Sequence, residues 1–479
     1  MKLLLTLTIA LALAAPASAQ TPALPEQGAA ATFYRDKQTA RKVSELMKRM
    51  TLEEKIGQCV LFASRGMVTG PRSSEKMDDY IKSGACGNVF GIKTAAETRR
   101  IQQMAVENTR LRIPVLFGMD VIHGYKTIFP VNIGVSASWD MAAIERMARI
   151  SALEASAAGI AWTYSPMCDI SRDPRWGRVV ECYGEDPFLI AELGVEMVRG
   201  IQSQGVASTP KHYAAYSVPK AGRDGNCRTD PHIAPRELHQ MYLYPFRRVI
   251  REARPMGVMS SYNDWDGVPV TASRYFLTDL LRHEYGFDGY VVSDSEAVEY
   301  VHTKHAVAET YEEAVRQVLE AGLNVRTNFS PPARFILPVR KLVEEGRLSM
   351  EVVDQRVREV LRVKFRLGLF DDPYNDPEEA VAQAGADKHA DFVLDIQRQS
   401  LVLLKNEDKI LPLDKKKTAR VLVAGPLADE DNFMVSRYGP NDLPTVTVLD
   451  GIRNYLGDAA EVRYAKGCDV VDAGFPDSE

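Results

Sequence analysis

Cysteine is scarce in this chain, six in 479 residues, and no Cys-x-x-Cys or His-x-x-x-His spacing suggests a zinc site. No metal is expected. An excess of charge of either sign is missing too. The formal net charge is −5, which offers no polycationic face and argues against nucleic acid as a partner. Beyond the N-terminus no apolar run is long enough to cross a bilayer, so membrane insertion is not expected. No Gly-x-Gly-x-x-Gly follows the first strand-like run, which weighs against a nucleotide cofactor. What is present is an ordinary globular composition, 45% hydrophobic and 26% charged, in a chain long enough for two or three domains.

The first residues carry an address. Met1-Lys2 precedes an apolar run from Leu3 to Ala15, and Ala17-Ser18-Ala19 supplies an Ala-x-Ala cleavage site. This predicts a signal peptide over 1–19 and an exported protein, periplasmic or secreted, that begins near Gln20. Residues 20–31 are rich in Pro, Ala and Gln and read as a flexible leader. No cysteine follows the cleavage site, so no lipid anchor is expected there. Export permits a disulfide, and Cys182 with Cys227 is the candidate pair.

Thr51-Leu-Glu-Glu54 has capping-box spacing and opens a helix. Short apolar runs then alternate with helical patterns. The runs are Gly87–Phe90, Pro114–Met119, Ala161–Ser165, Ala207–Lys211, Gly257–Tyr262, Gly289–Ser293 and Gly322–Val325. Among the helices are Met141–Ala158, Phe188–Gln204, Pro235–Ala253, Tyr311–Ala321 and Glu351–Arg366. Continuous apolar strands alternating with helices predict a parallel sheet covered on both faces. Seven such units suit a (β/α)8 TIM-like barrel, an α/β fold, over 32–370. Residues 371–386 break the pattern and read as a linker. From 387 to 479 a second α/β sandwich domain begins, with too few elements to be complete.

Polar residues gather at the predicted strand ends. Asp120 follows Pro114–Met119; Arg172-Asp-Pro-Arg-Trp-Gly-Arg178, Glu181 and Gly184-Glu-Asp-Pro187 follow Ala161–Ser165. Lys211-His212, Tyr262-Asn263 and Asp294 end later strands. In barrel enzymes this rim is where catalysis resides. Each residue also has a plain structural explanation. Asp294 could be a nucleophile, a base, a metal ligand or a helix N-cap for Ala297–Thr303. Lys211-His212 could be a surface pair, the arginine loop a set of ion pairs, and Tyr262 simple packing. Their shared placement carries the functional reading: a polar funnel suited to many hydroxyl groups.

These ordered motifs resemble glycoside hydrolase family 3, in its two-domain β-glucosidase-like branch. The resemblance runs from about Val43 to the C-terminus. It is carried by Gly118-Met-Asp-Val-Ile-His-Gly124, Thr127-Ile-Phe-Pro130, Arg172–Arg178, Gly184–Pro187 and Lys211-His-Tyr-Ala214. Val258-Met-Ser-Ser-Tyr-Asn263, Gly286–Asp294 and Ser400-Leu-Val-Leu-Leu-Lys-Asn406 extend it. The resemblance implies a retaining glycosidase with Asp294 as nucleophile and no cofactor. It implies that Asp120, Arg178, Lys211 and His212 hold the terminal sugar of an oligosaccharide or glycoside, with Tyr262 near the nucleophile. Arg178 and Lys211 would keep Asp294 ionised.

The family's acid/base carboxylate normally comes from the second domain, beyond the Val421–Gly425 strand. No trusted motif for it occurs before Glu479; Glu430 and Glu461 read as surface charges. The acid/base is therefore not expected in this chain, and poor hydrolysis by the chain alone is. In a single-domain branch, the β-N-acetylglucosaminidases, an Asp/His pair after the Lys-His strand does this work, and Asp230-Pro-His232 mimics it. Tyr213-Ala-Ala-Tyr-Ser217 lacks that branch's Pro-Gly-His-Gly run. Ser295, where many β-glucosidases of the family carry Trp, resembles the β-xylosidase side, whereas Asp120 resembles the glucose side. The expected activity is that of an exo-acting β-glucosidase, with β-xylosidase close behind. A metal-dependent hydrolase using His123, His212 and Asp294 and a non-catalytic sugar-binding protein are the readings from other classes.

Overall fold

The computed structural model describes residues 37–64, 77–218, 230–431, 436, 438–439 and 445–470. The stretches expected to be signal peptide and leader, and Cys227, lie outside the described residues. Eight short strands line one ring: β1 (Val60–Ala63), β2 (Asn88–Phe90), β3 (Leu116–Met119), β4 (Trp162–Thr163), β5 (Ala207–Ser208), β6 (Gly257–Ser260), β7 (Tyr290–Ser293) and β8 (Arg326–Asn328). Strands β8, β1, β2, β3, β4 and β5 pair side by side. Strand β6 pairs with β7 in parallel, from Gly257 opposite Tyr290 to Ser260 opposite Ser293. Parallel bridges Tyr213–Ser260 and Val292–Val325 join the two sheets. The ring closes, and the expected (β/α)8 barrel is present.

Six of these strands fall within the expected apolar runs, a seventh lies next to one, and β1 was not foreseen. The capping box at Thr51 forms, but the helix it opens is short, Leu52–Gly57. Only Gln58 and Cys59 separate it from β1, so the strand's apolar residues continue the helical pattern. Strand β8 falls just beyond the expected Gly322–Val325. Gly322, at φ +127°, ends the helix Tyr311–Ala321, and the Asn324 side chain is occupied in accepting from the Val291 amide at 2.7 Å. The helix expected over Pro235–Ala253 is broken. A widened turn at Leu238–Tyr242 separates Pro235–Glu237 from Tyr244–Ala253, and Pro245 lacks the N–H that would continue the ladder.

The barrel is filled rather than hollow. Inward residues include Leu61, Phe90, Leu116, Trp162, Tyr164, Tyr290 and Val292. The Trp162 ring meets Tyr164 and Tyr290 edge-on, each at 4.9 Å. Two strand glycines make the space. A Cβ on Gly118 would lie 2.3 Å from the Tyr164 hydroxyl, and one on Gly257 would lie 3.1 Å from the Tyr290 ring. Lys364, on the helix Met350–Arg366, plugs the floor beneath. Its ammonium donates to Gln58 Oε1 (2.7 Å), Gly87 O (2.7 Å) and Pro114 O (2.8 Å), all just before β1, β2 and β3. Burial pulls this lysine down to about 7, while the three oxygens hold its proton.

Within 371–386 the chain forms the helix Pro377–Gln383, capped by Asp376. Asn375 donates to the Ala95 carbonyl at 3.0 Å, which ties this stretch to the barrel. Farther on come the helix Ala390–Gln399 and two parallel strands, β9 (Arg420–Ala424) and β10 (Glu461–Ala465), with the helix Val448–Leu456 between them. Phe392 docks the first of these helices on Phe129, ring centroids 5.8 Å apart. Elsewhere in this unit large apolar side chains face outward; Leu404 is 92% exposed and Leu422 64%. No helix among the described residues is long and apolar enough to cross a membrane.

Candidate active site

Strand β7 delivers Asp294 to the C-terminal rim of the barrel, and β6 delivers Tyr262 beside it. The two strands run in register, so the residues that follow them emerge as neighbours. The Tyr262 hydroxyl donates to Asp294 Oδ1 at 2.8 Å, and the Ser295 amide donates to the same oxygen at 2.7 Å. Oδ2 is buried and accepts no hydrogen bond. One oxygen is held and the other is left available to react. Asp294 is no N-cap: Glu296, which makes no side-chain cap bond, precedes the helix Ala297–Thr303. Burial raises the Asp294 pKa above the usual carboxylate value. Arg178, the Ser295 amide, Lys211 and Tyr262 pull it the other way. The cations act in the expected direction, but desolvation exceeds them.

The other rim residues interlock around this carboxylate. Lys211, after β5, donates to Asp120 Oδ1 at 2.9 Å, and both are buried. Burial works against the lysine's charge, yet Asp120 and Tyr438 outweigh it and its pKa stands above the ordinary value. Arg178 forks onto Glu181, with both bonds at 2.8 Å. Its Nη1 lies 3.1 Å from His212 Nε2. A guanidinium can only donate, so that contact makes Nε2 an acceptor and places the imidazole proton on Nδ1. There it faces Asp169 Oδ2 at 2.8 Å, which also accepts from the His212 amide at 2.9 Å. His212 Nε2 stands 3.4 Å from Asp294 Oδ2. In this tautomer it carries no hydrogen for that oxygen, consistent with Oδ2 remaining unbonded. Burial pushes the Asp169 carboxyl up to about 7.

All six residues predicted for the site, Asp120, Arg178, Lys211, His212, Tyr262 and Asp294, meet on this rim. Of the arginine loop only Arg178 arrives; Arg172 pairs with Glu237 and Arg175 with Asp173 near the surface. The Gly184–Pro187 motif is structural, because Asp186 caps the helix Pro187–Gln202. Asp230 and His232 do pair, at 3.0 Å, but His232 is exposed, and the Asp/His pair beside Asp294 is Asp169 with His212. Cys182 is a buried free thiol. His123 is turned to Phe129 O (3.0 Å) and Ser436 Oγ (2.7 Å). Among the described residues no cluster of three His, Cys, Asp or Glu side chains could hold a metal.

Several contributors escaped sequence reading. Asp169 lies past the end of β4 in Cys168-Asp-Ile170, with no flanking charge to single it out. His305 bonds the Tyr262 carbonyl through Nε2 at 2.8 Å and holds that strand end from behind. Tyr438 belongs to the second unit yet is buried on the barrel rim. Its hydroxyl accepts from Arg178 Nη2 at 3.2 Å, and its ring centroid lies 4.8 Å from the Lys211 ammonium. A lone tyrosine before Gly-Pro in a polar stretch carries no signal of such a role.

Residues 51–363 match the family description Glycosyl hydrolase family 3 N terminal domain, and residues 401–473 match its C-terminal domain. A periplasmic beta-glucosidase of Salmonella typhimurium is 35% identical over 452 residues, covering 91% of this chain and 57% of that protein. A beta-xylosidase of Formosa agariphila is 32% identical over 447 residues, covering 87% of this chain and 61% of that protein. A crystal structure of a beta-glucosidase from Listeria innocua in complex with isofagomine is similar with a TM-score of 0.81 at 34% identity, covering 91% of this chain and 60% of that one. The chain thus spans less than two thirds of the length of each of these relatives. With both domain descriptions matched in order, the chain belongs to glycosyl hydrolase family 3.

Proposed function

We propose that this protein is a retaining, exo-acting β-glycosidase that removes terminal non-reducing β-D-glucosyl residues from oligosaccharides. The observation that carries this reading is the asymmetry of Asp294: Oδ1 is fixed by Tyr262 and Ser295, and Oδ2 is buried without a hydrogen bond. A carboxylate so held is preorganised to attack. Oδ2 forms a bond to the anomeric carbon while the bond to the leaving oxygen breaks, and that oxygen takes a proton from a general acid. Water then gives its proton to the same group's conjugate base and cleaves the glycosyl-enzyme, freeing the sugar and the Asp294 carboxylate. Asp120, Lys211, Arg178 and His212 offer donors and acceptors to the sugar hydroxyls. Their bonds to the 2-hydroxyl and its neighbours gain strength as positive charge grows on the ring. Export to the periplasm or beyond fits the N-terminal residues and the Salmonella relative's name.

β-Xylosidase activity is the second reading, favoured by Ser295 and by the Formosa relative. One CH2OH group is worth only about 1–3 kcal/mol of discrimination, so both substrates can be turned over by one site.

A 2-deoxy-2-fluoro-glucosyl fluoride tests the nucleophile by itself, because fluoride departs without a proton donor. Incubation followed by peptide mass spectrometry should place the sugar on Asp294. Absence of any adduct, or an adduct on another residue, overturns the assignment and favours a sugar-binding role. The matching xylosyl fluoride ranks the two sugars.

A further inference from the structure

The end of the barrel opposite Asp294 holds a second concavity, of about 830 Å3, within the range of small-ligand pockets. The helices Lys37–Met47, Tyr244–Ala253 and Met350–Arg366 contribute to its walls, together with the turn 286–288 that leads into β7. Among the described lining residues, Arg251, Arg254, Arg282, Arg358, Arg362 and Arg366 share the cavity with one carboxylate, Asp288.

That carboxylate is already engaged. Arg366 forks onto its two oxygens at 2.7 and 3.1 Å, and Arg362 stands 3.7 Å from it. Arg282 is committed to the buried Glu359 at 2.8 Å. Arg251 donates to the Glu284 carbonyl at 3.0 Å, and Arg358 donates to Gln355 Oε1 at 3.0 Å. Neutral oxygens satisfy a donor without cancelling its charge. Burial depresses the Arg362 guanidinium below the ordinary arginine range, with Asp288 opposing and Arg366 adding to the effect. Like charges crowded around a low-dielectric hollow oppose folding and focus a positive potential into it.

The chemistry that relieves such a hollow is specific. A guanidinium fork matches the paired oxygens of a sulfate, phosphate or carboxylate. Val43, Ile250 and Phe287 give the same cavity apolar wall for a carbon skeleton. We propose that this floor cavity binds a ligand bearing several oxyanion groups, the chemistry shared by sulfated or uronic-acid oligosaccharides and by free polyphosphates. Asp288 and Asp294 lie at opposite ends of one strand, ~20 Å apart at 3.3 Å per residue. The cavity is therefore separate from the sugar-cleaving rim.

Calorimetric titration of the 479-residue chain with pyrophosphate, a sulfated disaccharide and digalacturonate tests the idea at low and high salt. At least one should bind, more weakly as salt rises, and the one that binds identifies the source. The double substitution R251Q/R358Q should weaken binding about tenfold or more. It should leave labelling of Asp294 by the fluoro-sugar unchanged. If that variant melts early, Arg251→Glu alone, on the outer lip, provides the same readout. Failure of all three probes to bind, or binding that ignores these substitutions, overturns the proposal.

Discussion

The barrel and the unit that follows it use the same local grammar, strand then helix then parallel strand, but among the described residues only the barrel closes. In the barrel every strand has two neighbours, and side chains such as Val89, Trp162 and Val291 are fully buried. In the second unit β9 and β10 have only each other among the described strands, and β10 alternates between exposed and half-buried positions along its length. Closure removes edges and lets neighbouring strands fix one another. It is also what gathers six polar side chains from five strand ends on one rim, where Lys211 bonds Asp120 and Arg178, His212, Asp294 and Tyr262 form a chain of close contacts. Among its described residues, the second unit reaches that rim through Tyr438 and Ser436.

The largest expected effect lies in the barrel. Asp294→Asn should lower turnover of an activated aryl β-glucoside by roughly 10⁴-fold; a loss of only a few-fold would move the chemistry away from β7. The same variant should be more stable near neutral pH. The folded protein holds the Asp294 proton more tightly than the unfolded chain, whose reference value is 3.8. That contribution is present below 3.8 and is lost as pH rises through the folded value, so ionised Asp294 is a burden at pH 7. Thermal melts should show the variant's advantage shrinking toward pH 4.

Next in size is the floor. Lys364→Ala deprives Gln58 Oε1 and Pro114 O of their donor, while Gly87 O keeps the Leu116 amide at 3.1 Å, and should cost about 2–5 kcal/mol in urea unfolding. A loss under about 1 kcal/mol would mean that water replaces the ammonium. Hydrogen exchange then compares the two regions directly. Amides of β9 and β10 should exchange at least ~10²-fold faster than those of β3 and β7; equal protection would show that the open sheet is as well supported as the ring. The smallest effect belongs to the contact between them. Tyr438→Phe removes one hydrogen bond to Arg178 and should reduce kcat/KM about three- to tenfold, mainly through KM.

Much of this was legible in the sequence, for reasons that differ by residue. Strands such as β7 stand out because both faces are buried, giving an unbroken apolar run between a glycine and a carboxylate. Five of the six rim residues stand out because each ends or directly follows an expected run, and Arg178 because it closes the Arg172–Arg178 motif. Strand β1 was hidden by its proximity to a short helix, and the break at Leu238–Tyr242 by a proline whose effect depends on which carbonyls it deprives. Asp169 and Tyr438 were illegible for another reason. Their roles arise from what they meet in space, across 43 residues in the case of His212 and 260 in the case of Arg178, and no local spacing encodes that.

The two bridges that complete the ring, Tyr213–Ser260 and Val292–Val325, have a mechanical consequence. They are the seams on either side of a two-strand panel, β6 with β7, whose own register spans four residue pairs. That panel carries both Tyr262 and Asp294. Shear along the seams moves the donor and the carboxylate together and preserves the bond between them. Such shear would instead alter the distance from that couple to Lys211 and Asp120 across the first seam. The Tyr262–Asp294 bond thus lies within one hydrogen-bonded panel, whereas Lys211 and Asp120 belong to strands beyond its first seam.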